Sequence, residues 1–146
     1  MLKTGDVAPD FAIGDLSLYR LLTERAAAVF FFPRAFTPVC TREAAAFRRE
    51  YENLRRSGCE VVGVSRDTQE TSDRFRESLE LPFPLVGDAE GEVLKAYKVR
   101  WPVIGLARRV TYLVGQNRKV RLAFHSEFDA GAHVSETCAA LTRPEP

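Results

Sequence analysis

The apolar positions along this chain change their period several times, and each change marks an element. Ala26-Ala-Ala-Val-Phe-Phe-Phe32 is continuously apolar and stops at Pro33, the pattern of a strand covered on both faces. Thr37-Pro38 comes next, and a hydroxyl side chain ahead of proline predicts a helix N-cap with proline at the first helical position. From Cys40, residues Ala44, Phe47, Tyr51 and Leu54 recur at steps of four, three, four and three, while Arg42, Arg48, Arg49, Glu52, Arg55 and Arg56 take other phases. This is a one-sided helix, ended at Ser57-Gly58 by a glycine suited to a C-cap. Val61-Val-Gly-Val64 then reads as a second buried strand, and Asp67 to Leu79 as a helix carrying Phe75 and Leu79, stopped by Pro82 and Pro84. A short helix through Val93, Leu94 and Tyr97 precedes Val110–Val114 and Val120–Phe124, which a turn at Gly115-Gln-Asn-Arg118 joins as a hairpin. A last helix runs from about Ala130 to Leu141.

The resulting order, βαβα(α)ββα, predicts an α/β fold in which a mixed central β-sheet carries helices on both faces. This is the thioredoxin-like arrangement. The 146 residues match one domain, and no linker or repeat divides them, so a single domain over 1–146 is expected with only its ends loosely held. A net charge of +1 gives no electrostatic case for nucleic acid or an anionic membrane surface. The longest apolar run is far short of a membrane span, and Met1-Leu-Lys-Thr-Gly5 has no signal-peptide core; these features predict a cytoplasmic protein with no membrane partner. Three cysteines in such a chain read as thiols and not as a disulfide framework.

Position separates the three thiols. With Thr37 as N-cap, Cys40 falls in the first helical turn, where free backbone N–H groups and the positive dipole end favour a thiolate. Its phase with Ala44, Phe47 and Tyr51 turns the sulfur inward. A recessed thiolate of this kind attacks small electrophiles such as peroxide, although a cysteine filling an apolar hole fits the same burial. Cys59 opens a buried strand and reads as core, and Cys138 lies in phase with Val134 and Leu141 as a core or interface residue. His125 and His133 have no cysteine at metal-finger spacing. No C-x-x-C is present, since Glu43 stands three residues after Cys40.

Pro33-Arg-Ala-Phe-Thr37-Pro-Val-Cys40 resembles the P-x-x-x-T-x-x-C signature of the peroxiredoxins. Gly5-Asp-Val-Ala8-Pro9-Asp10-Phe11 is similar to the family's G-x-x-A-P-D-F opening, and Gly63-Val-Ser-Arg-Asp67 to the end of its next strand. Arg109-Val-Thr-Tyr-Leu-Val114 resembles the strand that brings the family's active-site arginine, which assigns that role to Arg109 over Arg108; strand alternation allows only one of the two to face the thiol. Glu43 matches the glutamate of C-x-x-E, which helps hold that arginine, while decoration of a helix surface is the alternative.

The resemblance implies a thiol-dependent peroxidase. Arg109 and the helix-start amides favour the Cys40 thiolate, the Thr37 hydroxyl aligns the peroxide for in-line attack, and Pro33 shields the sulfur. Attack on hydrogen peroxide or an organic hydroperoxide leaves a sulfenic acid on Cys40, with no metal or other cofactor required. The chain is similar to the Q type, or bacterioferritin-comigratory proteins, but the resolving cysteine that many of these carry five residues on is here Ala45, and none occurs from Asp67 to Glu80. Ala35-Phe36-Thr37 resembles instead the one-cysteine alkyl hydroperoxide reductases. Some atypical two-cysteine members place the resolving cysteine late in the chain, which makes resolution the functional alternative for Cys138, but a bond to Cys40 would need Cα atoms within roughly 7 Å and local unwinding at both ends. The expected mechanism therefore uses one cysteine and an external reductant: thioredoxin, a glutaredoxin-like protein or a low-molecular-weight thiol. Phe36 and Trp101 are candidates for the hydroperoxide entrance, for a dimer patch or for the core, so monomer and homodimer both stay open. The competing classes are a redox sensor or chaperone-like module in which Cys40 oxidation is a signal, and a thioredoxin-fold scaffold without turnover.

Overall fold

A computed structural model describes residues 1–143, with the elements β1 (Ala12–Ile13), β2 (Leu16–Ser17), α1 (Leu18–Leu21), β3 (Ala26–Phe31), α2 (Pro38–Arg56) and β4 (Cys59–Ser65) in its first half. The second half holds α3 (Gln69–Ser78), β5 (Leu85–Gly87), α4 (Glu92–Ala96), β6 (Val110–Val114), β7 (Val120–His125) and α5 (Ala130–Leu141). Five strands form one sheet in the order β5-β4-β3-β6-β7. β3 pairs parallel with β4 and antiparallel with β6, so the sheet is mixed.

The apolar run of β3 has no exposed residue because both of its faces are covered. Successive side chains alternate across a strand. Ala26, Ala28 and Phe30 pack with Phe47, Leu54, Phe75 and Val134 under α2, α3 and α5, whereas Ala27, Val29 and Phe31 pack with Leu18, Leu94 and Tyr97 under α1 and α4. The predicted helices on both faces are present. α2 starts beyond the C-terminal end of β3 and runs back along the sheet. Its C-cap is Ser57, and the following Gly58 takes φ +79°, a left-handed turn that glycine adopts without strain. The chain then enters β4 at Cys59, opposite Ala26.

Two expectations are corrected. The β1–β2 hairpin, α1 and β5 are absent from the sequence-based order; each is two to four residues long, too short to establish a period. The N-terminal end is not loose. The Gly5 and Ala8 amides donate to the carbonyls of Val120 and Arg118, and the Leu2 amide donates to the Tyr112 hydroxyl at 3.1 Å, which attaches the first eight residues to the hairpin. The looseness expected at the other end, and the last three residues of the expected 1–146 domain, lie in residues 144–146, outside the described residues. No described helix is long and apolar enough to cross a membrane.

Candidate active site

The site forms where three segments meet. β3 continues into a loop at Pro33 whose shape is fixed from β4: Asp67 Oδ2 accepts from the Ala35 amide at 2.8 Å and from the Ser65 hydroxyl at 2.6 Å. Phe36 takes φ +65°, is 55% exposed, and meets Phe75 edge-on at 5.1 Å between ring centroids. Thr37 is the N-cap residue of α2 by backbone conformation, and Pro38 opens the helix. The hydroxyl does not cap, contrary to expectation: Thr37 Oγ1 donates to the Arg34 carbonyl at 2.8 Å instead. The loop curls back on itself before the helix starts, which brings that carbonyl closer than the first-turn amides. Pro33 and Thr37 are both half-buried, and Cys40 is 1% exposed.

Arg109 stands one residue before β6, on the parity of Thr111 and Leu113, and therefore faces α2 and α5. Its Nη1 donates to Cys40 Sγ at 3.2 Å and to Glu43 Oε1 at 3.2 Å. Arg108, on the opposite parity, lies over the Trp101 ring at 4.5 Å. Trp101 is half-buried and not a core residue, while Phe36 is open to solvent. Arg109 is held at both ends by one residue: its amide donates to Glu127 Oε2 and its Nε to the Glu127 carbonyl, each at 2.9 Å. Burial of the guanidinium works against its charge, but Glu43 and Cys40 more than offset this and raise its pKa above the usual arginine value.

Glu43 is not surface decoration. It is wholly buried, and desolvation pushes its pKa up to about 8 despite the opposing pull of Arg109. Three further residues, His133, Thr111 and Ser126, complete the network, and sequence reasoning assigned none of them to the site. His133 of α5 faces Glu43 Oε2 through Nδ1 at 3.4 Å, shares a 2.7 Å hydrogen bond with the Thr111 hydroxyl, and reaches the Ser126 carbonyl from Nε2 at 2.8 Å. Burial lowers the pKa of His133. The only available signal was its phase with Thr137 and Ala140 on the buried side of α5, which places a histidine on a covered face and says nothing of what it meets. His125 plays a separate part, contacting Glu127 Oε2 at 2.7 Å. Among the described residues no group of His, Cys, Asp or Glu is arranged to hold a metal ion.

The other two cysteines lie apart from this site. Cys59 is fully buried, with its thiol pKa pushed up to about 12 by desolvation. Cys138 is half-buried and lines a groove of about 410 Å³ with Ala46, Arg49 and Glu50 of α2.

A family model described as AhpC/TSA matches residues 4–123, most of the chain. The chain belongs to the AhpC/TSA family. This AhpC/TSA member is 38% identical over 114 residues to a chloroplastic peroxiredoxin Q of Sedum lineare, covering 77% of this chain and 61% of that one. It is 34% identical to a putative peroxiredoxin of Mycobacterium tuberculosis, with 96% of each chain covered. Among solved structures, peroxidoxin BcpB of Mycobacterium tuberculosis superposes with a TM-score of 0.91 at 32% identity, covering 99% of this chain and all of that one. Xanthomonas campestris peroxiredoxin Q gives 0.75 at 26% identity, over 83% and 80% of the two chains. The chain spans 53–67% of the length of several plant relatives that it matches. These likenesses identify it as a peroxiredoxin with a thioredoxin-like fold.

Proposed function

We propose that this peroxiredoxin is a thiol-dependent peroxidase that reduces hydrogen peroxide and organic hydroperoxides through a sulfenic acid on Cys40. The observation that carries this reading is the Arg109 guanidinium nitrogen 3.2 Å from Cys40 Sγ, in the first turn of α2. The guanidinium and the unpaired first-turn amides favour an anionic sulfur. The Thr37 hydroxyl, at the mouth of the same turn, orients the peroxide for in-line attack, and Pro33 screens the sulfur from bulk water. Sulfur gains an S–O bond as the O–O bond breaks, and the leaving oxygen departs as water or alcohol.

The reduction step calls for an external thiol. α2 rises about 1.5 Å per residue, so Cys59, beyond its far end, lies roughly 25 Å from Cys40. Cys138 packs beside Ala46 to Glu50, roughly 10–15 Å along the same helix from Cys40, whereas a disulfide needs Cα atoms within about 7 Å. This supports a one-cysteine cycle completed by thioredoxin, a glutaredoxin-like protein or a low-molecular-weight thiol. Such a cycle belongs in a reducing compartment, for which we keep the cytoplasm, although several plant relatives are described as chloroplastic. The assembly is a monomer or a homodimer, and sedimentation at micromolar concentration distinguishes them.

Stopped-flow fluorescence of Trp101 with hydrogen peroxide and cumene hydroperoxide tests the reading. Oxidation far faster than that of free cysteine, abolished in Cys40→Ser, is expected; a rate equal to free thiol overturns it in favour of a slow sensor or chaperone-like module.

A further inference from the structure

Arg109 offers one positive charge to two buried acids. The same nitrogen, Nη1, reaches both Cys40 Sγ and Glu43 Oε1, and all three residues are at most 5% exposed. A thiolate and a carboxylate together would leave a net negative charge without water to solvate it, a costly arrangement. Two groups coupled this closely share their protons as a unit. The site therefore retains one proton, held either by sulfur or by carboxyl.

The geometry around Glu43 favours the carboxyl. Its Oε2 is buried without any hydrogen-bond partner and points at His133 Nδ1, 3.4 Å away. The Ser126 carbonyl only accepts, so the hydrogen of a neutral His133 sits on Nε2 and leaves Nδ1 as an acceptor. The single lone pair of Nδ1 is taken by the Thr111 hydroxyl at 2.7 Å, so a proton on Glu43 Oε2, 3.4 Å away, adds no hydrogen bond there but removes the repulsion between an ionised Oε2 and that lone pair. An ionised Oε2 would face that lone pair with nothing to bind. The other charged groups around the pair are Glu127, whose backbone and carboxylate hold Arg109, and His125, which contacts Glu127; neither supplies a donor to Oε2.

We propose that Glu43 and His133 form a buried proton store for Cys40, with the carboxyl proton on Oε2 facing His133 Nδ1 while the sulfur is anionic, and released when the sulfur is oxidised. This role rests on the peroxidase reading and goes beyond holding the arginine. The balance closes: the Cys40 thiolate takes the terminal OH of the hydroperoxide, forming S–O and breaking O–O. The leaving alkoxide takes up one proton, and Glu43 gives up one and becomes the anion that Arg109 then pairs with. Site charge is zero before and after, and the medium supplies no net proton. Glu43 and His133 are positioning residues, since neither touches the peroxide.

The test counts protons. Reduced protein carrying Cys138→Ser is oxidised with one equivalent of hydrogen peroxide in weak buffer near neutral pH, with an indicator dye for protons and ultraviolet absorbance for thiolate. The expected result is a thiolate signal at the start and no net proton uptake as Cys40 becomes sulfenic acid. With Glu43→Gln the thiolate remains but one proton is taken up per sulfur oxidised. With His133→Gln, which keeps a donor to Ser126 but removes the Nδ1 lone pair that opposes an ionised Oε2, the initial thiolate signal falls. Circular dichroism verifies that each variant is folded. Uptake of one proton by the Glu43-containing protein, or absence of its thiolate signal, overturns the proposal. Alkylation by iodoacetamide gives a readout that needs no peroxidase activity: one proton is released per Cys40 modified when Glu43 is present, and none in Glu43→Gln. Slow peroxide oxidation with this release intact defeats the peroxidase reading alone, and fast oxidation without the release defeats the store alone.

Discussion

Asp67 Oδ2 accepts the Ala35 amide at 2.8 Å, so the segment just past β4 fixes the loop that delivers Thr37 and α2 to the site. The same oxygen takes the Ser65 hydroxyl. Hydrogen bonds to a charged acceptor are worth about 1.5–3 kcal/mol each, and Asp67→Ala removes two. A loss of about 2–4 kcal/mol in urea unfolding is expected after partial rehydration of the loop, together with a slower reaction of Cys40 with peroxide. An unchanged rate would mean that the loop holds its shape without Asp67.

Arg109→Lys tests the geometry of the cation. An ammonium keeps the charge but cannot keep Nη1 between Cys40 and Glu43 while Nε is bound to the Glu127 carbonyl. Loss of one charge-assisted contact of about 1.5–3 kcal/mol corresponds to a rate on the order of 10–100-fold lower, read as the second-order constant for peroxide in stopped flow.

Thr37→Ser preserves a hydroxyl able to donate to the Arg34 carbonyl, and most of the peroxide rate is expected to survive. Thr37→Val removes it, and a fall of about 10-fold or more is expected from one lost hydrogen bond. Equal rates for the two variants would remove the hydroxyl from the mechanism.

The buried acid gives stability a defined pH dependence. The pKa of Glu43 is raised from 4.5 to about 8 on folding. Below pH 4.5 folded and unfolded states both carry the proton, and the contribution is fully present. As pH rises towards 8 only the unfolded state releases it, so stability falls, at up to about 1.4 kcal/mol per pH unit. Glu43→Gln does not titrate, and its stability relative to the parent should improve across this window. His133 runs the other way: its pKa is lowered from 6.5, so its contribution is present above 6.5 and declines as pH falls below it, where the unfolded state takes the proton before the folded one does. Urea unfolding at a series of pH values measures both slopes.

Gly63 of β4 is fixed by packing. A methyl group there would lie 2.5 Å from Leu85 Cδ2 and 2.8 Å from Phe30 Cζ. Gly63→Ala should destabilise by about 1–3 kcal/mol through overpacking, measured as a lower denaturant midpoint with an unchanged slope.

The elements visible in the sequence are those long enough to repeat a pattern. The stripe Cys40, Ala44, Phe47, Tyr51 and Leu54 marked α2 and its buried side, and the apolar run from Ala26 marked β3 with both faces covered. β5 was hidden by its three residues, and α1 by its four. Cys40 was recognisable because local rules make a helix start special. Glu43 was recognisable as a motif residue but ambiguous in burial, since position 43 borders the apolar stripe and only the packing of α5 and β6 covers it. His133 and Thr111 come from different elements and meet Glu43 only after folding.

Phe36, at φ +65°, has a consequence for turnover. A non-glycine residue in the left-handed region costs roughly 1–2 kcal/mol, and that strain sits directly before the reactive helix. With Cys40 only 1% exposed, a protein reductant of the kind proposed above would need the first turn of α2 to open before it reached the oxidised sulfur. Opening releases Phe36 from its strained backbone, so local unfolding at this one helix end is less uphill by about the same 1–2 kcal/mol. The loop thus ties the resting shelter of the sulfur to the speed of its repair, and Phe36→Gly, which removes the strain, should slow regeneration by a protein thiol while leaving reaction with small peroxides largely unaffected.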